Sequence, residues 1–312
     1  MNLNYVKEIA KWMQSDRPVA EVREELLNYH DRDIAFAIES LDGAARKKAF
    51  QILDEERLAD VFSYFKDPLE YMDEIGMERF AAIVSDMDSD DAVDVLEELD
   101  DATRKRLAPL LQADARKAIR LIRSYDEDEI GSQMTTNFVR ISQGISVKQA
   151  TRSLILQADK NDNINTIYVS DGERHYVGAI DLKDLITARE YDDLEDIIVS
   201  SYPYVFAEEK IDACVDKIKE YAEDSIPVLD EERRIVGVIT ATDITELVDE
   251  EMGEDYAMLA GMTEASDLDE TTFQSMKKRL PWLILLLFLG MGVSSVVGLF
   301  EQVVAQVALI VC

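Results

Sequence analysis

Two stretches decide how this chain is read: YVGAIDLKDLITA (176–188) and IVGVITATDITEL (235–247). Superposed at an offset of 59 residues, they place Gly178 over Gly237 and Asp184 over Asp243. Each runs from a short apolar, β-branched segment into a helical pattern, the texture of a strand feeding a helix. Upstream, INTIYVSD (164–171) mirrors DSIPVLD (224–230), and Asp171 and Asp230 keep the same offset. A helical stretch precedes each half, SVKQATRSLI in one and KIDACVDKIKEY in the other. The second half of the chain is therefore a duplicated α/β unit: helix, strand, turn, strand, helix.

Before about residue 130 the pattern changes to helix after helix. DIAFAIESL (33–41), LADVFSYF (58–65), ERFAAIVSDM (78–87) and DAVDVLEEL (91–99) each repeat apolar residues at i, i+3, i+4 and i+7. The breaks between them carry Asp, Gly or Pro, as in LDGAAR, FKDPLE and LDDATR. Short amphipathic helices cannot bury their faces singly, and stacking them into a superhelix solves this. An all-α domain is expected here.

After the repeat, KKRLPWLILLLFLGMGVSSVVGLF runs from Lys277 to Phe300, uncharged from Pro281 onward. Roughly 20 apolar residues suffice to cross a bilayer's hydrocarbon core, so a transmembrane helix is expected. Lys277, Lys278 and Arg279 flank its N-terminal end. By the positive-inside tendency the preceding part lies in the cytoplasm and the protein in the cell membrane, in contact with lipid. The N-terminal MNLNYVKEIAKWMQSDRP lacks an apolar signal core, in agreement. Within the span, Gly290, Ser294 and Gly298 recur every fourth residue, a small-residue stripe suited to close helix packing.

The net charge is −32. The last 36 residues hold three basic and one acidic side chain, so everything before them carries −34. That argues against nucleic acid as a partner, whose phosphates need basic surface. It favours cations or basic partners. Cys214 and Cys312 cannot build a disulfide framework, and His30 and His175 have no Cys or His at zinc-ligand spacing. No nucleophile–base pairing, Walker motif or GxGxxG is present, and no catalysis is expected.

The duplicated unit, with its "(I/V)P-V-x-D … h-V-G-h-h-(T/S)-x-x-D" pattern, resembles a CBS pair, the regulatory module of many enzymes and transporters. The order of parts narrows this. EIGSQMTT at the domain junction, GEDYAMLAG after the second module and KRLPWLILLLFLGM entering the membrane are together similar to the MgtE family of magnesium transporters. The resemblance implies a multidomain chain. It comprises an acidic helical superhelix (1–130), a first CBS module (131–198), a second (199–248), a long connecting helix (249–276), and the first transmembrane helix with the start of the membrane domain (277–312). Family members continue through further membrane helices that line an ion path. EQVVAQVALIVC at the end is too short to span, so the expectation is a fragment or truncated product lacking most of the pore. A homodimer through the CBS pairs is also implied.

Magnesium prefers oxygen ligands and keeps much of its water, so a sensor needs neighbouring carboxylates. SDMDSDDAVD puts Asp90 and Asp94 one helical turn apart. DITELVDEEMGED puts Glu246, Glu250 and Glu254 on one helix face, with Glu251 and Asp255 on an adjacent stripe. The resemblance places the family's acidic sensing positions on Asp60, Asp90, Asp94, Asp212, Asp243, Glu246, Glu251, Glu254 and Asp255. Lys210 and Ala222 stand where the family pattern has carboxylates. Like-charged surfaces that must pack together repel by about 1 kcal/mol per close pair even in water, so their closure becomes conditional on cations.

GVITATD (237–243) supports two readings. In CBS modules a Thr and an Asp at the spacing of Thr240 and Asp243 face a nucleotide's phosphate and ribose, and ATP or another adenine nucleotide is the implied second ligand. T-x-x-D before an apolar helix is also a capping arrangement. The first module has Asp181 where Thr240 stands, and a carboxylate facing phosphate is unfavourable, so a nucleotide is expected in the second module only. The expected function is cytosolic magnesium sensing that gates a transporter through cation-bridged compaction. The alternative is a membrane-tethered, nucleotide-sensing CBS module not specific for magnesium.

Overall fold

The aspartates that interrupt the helical half start its helices. Asp42 accepts the backbone N–H groups of Ala44 and Ala45, Asp54 that of Arg57, and Asp100 those of Ala102 and Thr103. In this computed structural model, which describes residues 3–158, 160–248, 280 and 283–298, ten helices precede the first strand. They are α1 (Leu3–Gln14), α2 (Val19–Leu26), α3 (Asp31–Glu39), α4 (Gly43–Ile52), α5 (Glu55–Phe62), α6 (Met72–Ile75), α7 (Met77–Asp86), α8 (Ser89–Glu97), α9 (Asp101–Leu107) and α10 (Ala113–Ile122). Packing runs along the row: α1 on α3, α3 on α5, α5 on α7 and α8 on α10. Ile9, Met13, Ile34, Ile38, Phe50, Phe62 and Phe80 are fully buried along it.

Arginines fix the register between successive layers. Arg23 donates to Ile52 O (2.7 Å), Arg57 to Tyr29 O (2.9 Å), and Arg79 to Phe50 O (2.6 Å) and Leu53 O (2.7 Å). Each guanidinium satisfies carbonyls left without partners at or just beyond a helix C-terminus.

The α/β half repeats one plan twice. The first sheet orders β1 (Val139–Ser142), β2 (Thr166–Ser170) and β3 (Tyr176–Asp181), with α11 (Val147–Ala158) between β1 and β2 and α12 (Leu182–Thr187) after β3. The second orders β4 (Val205–Phe206), β5 (Ser225–Leu229) and β6 (Ile235–Thr240), with α13 (Ile211–Ile218) between β4 and β5. Residues 241–248 are helical. Within each sheet the first pair is parallel and the second antiparallel. The short parallel strands β1 and β4 add to the two-strand plan read from sequence. Four residues and two are too few to show an alternating pattern.

The glycines that anchored the repeat have one structural reason. The segment leading into the second module crosses the first sheet, where Val199 bridges Ala179. The segment leading into the first module crosses the second sheet, where Thr135 bridges Val238. A Cβ on Gly178 would meet Val199 O at 2.7 Å, and one on Gly237 would meet Met134 Sδ at 2.6 Å and Thr135 O at 2.8 Å. Only glycine leaves room for a backbone to cross there.

The chain divides into two compact units, Met1–Asp243 and Ile244–Cys312. In the second, residues 283–298 are helical and their apolar side chains are exposed, Leu287 and Phe288 by 63% and 67%. No helix among the described residues is long and apolar enough to cross a membrane. Four residues of the expected span 281–300 lie outside the described ones, as does the whole connecting helix expected at 249–276. Gly290, Ser294 and Gly298 lie on the described helix, and beyond the helix's own nearby backbone no described atom comes within 4 Å of a Cβ built on either glycine.

Candidate metal and nucleotide sites

Two strongly perturbed carboxylates sit in fields drawn from both the helical half and the CBS pair. Asp90 is the second residue of α8 and half-buried. Its Oδ1 is buried with no hydrogen-bond partner. Burial first, then the charges of Asp243, Asp91 and Asp88, push its carboxyl up to about 8. Asp88 is also raised by burial, opposed by the bond its Oδ1 accepts from Asn137 Nδ2 at 2.7 Å. Asp60, on α5, rises to about 6 through crowding by protein and the charges of Asp31, Asp162 and Glu56, with Arg57 opposing. Asp162 lies beyond α11, so this field too is drawn from both halves.

Asp94 is exposed on the wall of a cleft of about 590 Å³ with Glu97, Arg123, Asp126, Glu127 and Asp128. Asp212 is exposed in the first turn of α13. Glu246 is exposed on the helical stretch 241–248, while Glu251, Glu254 and Asp255 lie outside the described residues. Among the described residues no three His, Cys, Asp or Glu side chains form a cluster that could hold a metal. Asp90 and Asp243, far apart in sequence, are brought into one electrostatic neighbourhood, as are Asp60 and Asp162. Asp31, Asp88 and Asp162 were missed by the sequence reading. Asp162 sits in KNDNIN, a loop with no acidic spacing to flag it.

The chemistry of the Asp90 neighbourhood fits a hard cation. Asp90, Asp243, Asp91 and Asp88 offer carboxylate oxygens, one of them buried without a partner, and such oxygens suit a hard cation. At Lys210 the chain provides its own cation: Nζ lies 2.6 Å from Asp128 Oδ1. Ala222 adopts a left-handed backbone (φ 52°).

Thr240 and Asp243 cap a helix reciprocally. The Thr240 N–H donates to Asp243 Oδ2 at 2.7 Å, and the Asp243 N–H donates to Thr240 Oγ1 at 3.3 Å. In the first module Asp181 caps α12 through Lys183 N–H at 2.7 Å. Both modules thus start a helix at this corner, the first with a carboxylate and the second with a hydroxyl backed by a carboxylate.

The chain thus joins a row of stacked helices to a pair of interlocked α/β modules, with carboxylates at their junction. The family description "MgtE intracellular N domain" matches residues 29–128, and "CBS domain" matches 128–191 and 194–250. The chain is 28% identical over 293 residues to the magnesium transporter MgtE of Bacillus subtilis, covering 93% of this chain and 64% of that protein. To the protein of the same name from Enterococcus faecalis it is 34% identical over 186 residues, 60% of this chain and 41% of that one. To that of Thermus thermophilus it is 28% identical over 299 residues, 93% and 66%. A crystal structure of the soluble part of a magnesium transporter superposes with a TM-score of 0.73 at 28% identity, covering 80% of this chain and 98% of that one. The cytosolic domain of the Mg2+ channel MgtE in complex with ATP superposes with a TM-score of 0.65 at 28% identity, covering 74% and 95%. This chain belongs to the MgtE family. It spans under two thirds of the length of these curated relatives.

Proposed function

We propose that the chain is the magnesium-sensing part of a magnesium transporter, with its helical and CBS domains in the cytosol and residues 281–300 in the cell membrane. The observation that carries the reading is Asp90, a half-buried carboxylate with an unpartnered oxygen in the field of Asp243, Asp91 and Asp88. Such a group stays charged in a closed interface only if a cation joins it. Magnesium held between Asp90 and Asp243 bridges the helical domain to the second CBS module. A second ion near Asp60, supported by Asp31 and Asp162, bridges to the first. Asp94, Asp212, Glu246, Glu251, Glu254 and Asp255 complete the acidic set assigned by family resemblance. When magnesium is scarce the like charges separate the domains, and the two states differ in ion affinity, as allosteric gating requires.

A nucleotide at the second module is supported by the Thr240–Asp243 corner and by the solved relative that carries ATP. The helix start donates to phosphate there, and Asp243 serves the ribose as well as the cap.

One experiment separates this reading from its rival. The detergent-solubilised chain is digested with protease across a magnesium titration at constant ionic strength, since screening alone also relieves repulsion. ATP is titrated separately by calorimetry. Protection rising through the millimolar magnesium range is expected. Identical digestion with and without magnesium, alongside ATP binding, would replace this function with nucleotide sensing.

A further inference from the structure

The helical domain also meets the CBS pair through a contact that uses no ion. Ser89 opens α8 and is 8% exposed. Its Oγ accepts the Thr136 backbone N–H at 2.7 Å and lies 3.1 Å from Thr136 Oγ1 and 3.3 Å from Thr135 Oγ1. Next to it, Asp88 Oδ1 accepts Asn137 Nδ2 at 2.7 Å. The receiving segment is held from the CBS side. Thr135 and Val238 exchange both backbone bonds at 2.9 Å, Asn137 Oδ1 accepts Asp162 N–H at 2.9 Å, and Asn137 O accepts Asn163 Nδ2 at 3.1 Å.

The duplication supplies an internal comparison. Thr135 crosses Gly237 as Val199 crosses Gly178, so Thr135-Thr136-Asn137 and Val199-Ser200-Ser201 occupy equivalent places. Val199 is 43% exposed, whereas Thr135 is 1% exposed and sits beneath Ser89. Where a helix docks the chain carries a hydroxyl; at the equivalent crossing it carries an open valine.

We propose that Ser89, together with the Asp88–Asn137 bond, is a cation-independent latch that holds the helical domain on the CBS pair and so positions Asp90 against Asp243. The latch rests on the reading that the helical domain undocks and redocks. It gives the docked state a finite population without magnesium, and the ion then shifts an existing equilibrium by its differential affinity. Ser89 is a positioning residue, acting through the register of α8.

The test uses the full chain in detergent with a Cys312→Ser background and a dye pair on cysteines replacing exposed Lys47 and Arg152, Cys214 being buried. Energy transfer is read first in EDTA and then across a magnesium titration. Losing one such hydrogen bond lowers the docking constant about three- to tenfold. Ser89→Ala and Asn137→Ala should each reduce the docked fraction in EDTA and raise the magnesium midpoint by a similar factor, with the urea midpoint of the helical domain unchanged. Should Ser89→Ala fail to fold, Asn137→Ala decides from the other side of the contact. Equal docked fractions in EDTA for parent and variants, or none in the parent, overturn the latch. A parent that responds to Asn137→Ala in EDTA but not to magnesium keeps the latch and removes the sensing function.

Discussion

Asp90 carries the most testable consequence at the scale of one residue. An aspartate ordinarily titrates near ~4, while burial and then Asp243, Asp91 and Asp88 raise this one to about 8. Between those values the docked state holds a proton that the undocked state releases. Without magnesium, docking is therefore strongest in acid and is lost as pH rises through about 8. From pH 8.5 to 6.5 the docking constant in EDTA should therefore rise about tenfold. Magnesium must displace the same proton from the docked state, so its affinity for that state falls on acidification. Asp60, raised to about 6, titrates below this window. Asp90→Asn should dock more readily in EDTA and lose the pH dependence, and a parent docked fraction in EDTA that stays flat across the window would rule this out. The sequence pointed to Asp90 through its spacing from Asp94, but nothing in it foretold that Asp90 turns half-buried toward the CBS pair while Asp94 faces an open cleft. Helical spacing gives a shared face and is silent on what that face meets.

At the scale of elements, the repeat glycines were visible in sequence and their reason was not. Offset matching found Gly178 and Gly237, while only the folded chain reveals the backbone crossing each. Overpacking at such a contact costs about 1–3 kcal/mol. Gly178→Ala should cost most, because two of its three closest neighbours, Val199 O and Ser200 Cα, are backbone. At Gly237 the nearest atom belongs to Met134, whose side chain moves, although Thr135 O does not. Gly172→Ala, with nothing within 4 Å, should stay within about 0.5 kcal/mol of the parent. Urea midpoints read all three. Equal stability of Gly178→Ala and Gly172→Ala would show that the crossing segment gives way freely. The helices were legible because 3.6-residue periodicity survives over nine or ten residues, as α3, α7 and α8 demonstrate. The brief β1 and β4 were not, because their pairing with β2 and β5 is set by contacts distant in sequence.

The whole molecule raises the question of the proposed dimer. Ile155 and Leu156 on α11 and Ile186 on the adjacent α12 are 66%, 69% and 69% exposed. Apolar side chains grouped on neighbouring helices favour a protein interface. A homodimer through this face should be dispersed by Ile155→Asp. Light scattering on the detergent-solubilised chain should show about half the parent's protein mass, and an unchanged mass, or a monomeric parent, would exclude this face. The net charge of −32 opposes any such association, and magnesium should promote it.

The sequence by itself determined the helices from periodicity and a duplicated α/β module from a 59-residue offset, and its carboxylates and family resemblance raised the expectation of a magnesium-directed chemistry. These are properties of neighbours along the chain or of one segment matched to another. Only the tertiary structure decided which carboxylates share a field. Asp90 feels the charge of Asp243, Asp60 that of Asp162, and Lys210 answers Asp128 with a charge of its own. It also decided that Ser89, an unremarked residue in an acidic run, packs against Thr135 and Thr136. Which charges repel and which buried oxygens lack a donor depends on distance and burial. Both are created when the helical domain settles on the crossed linkers of the CBS pair, and no local pattern encodes them.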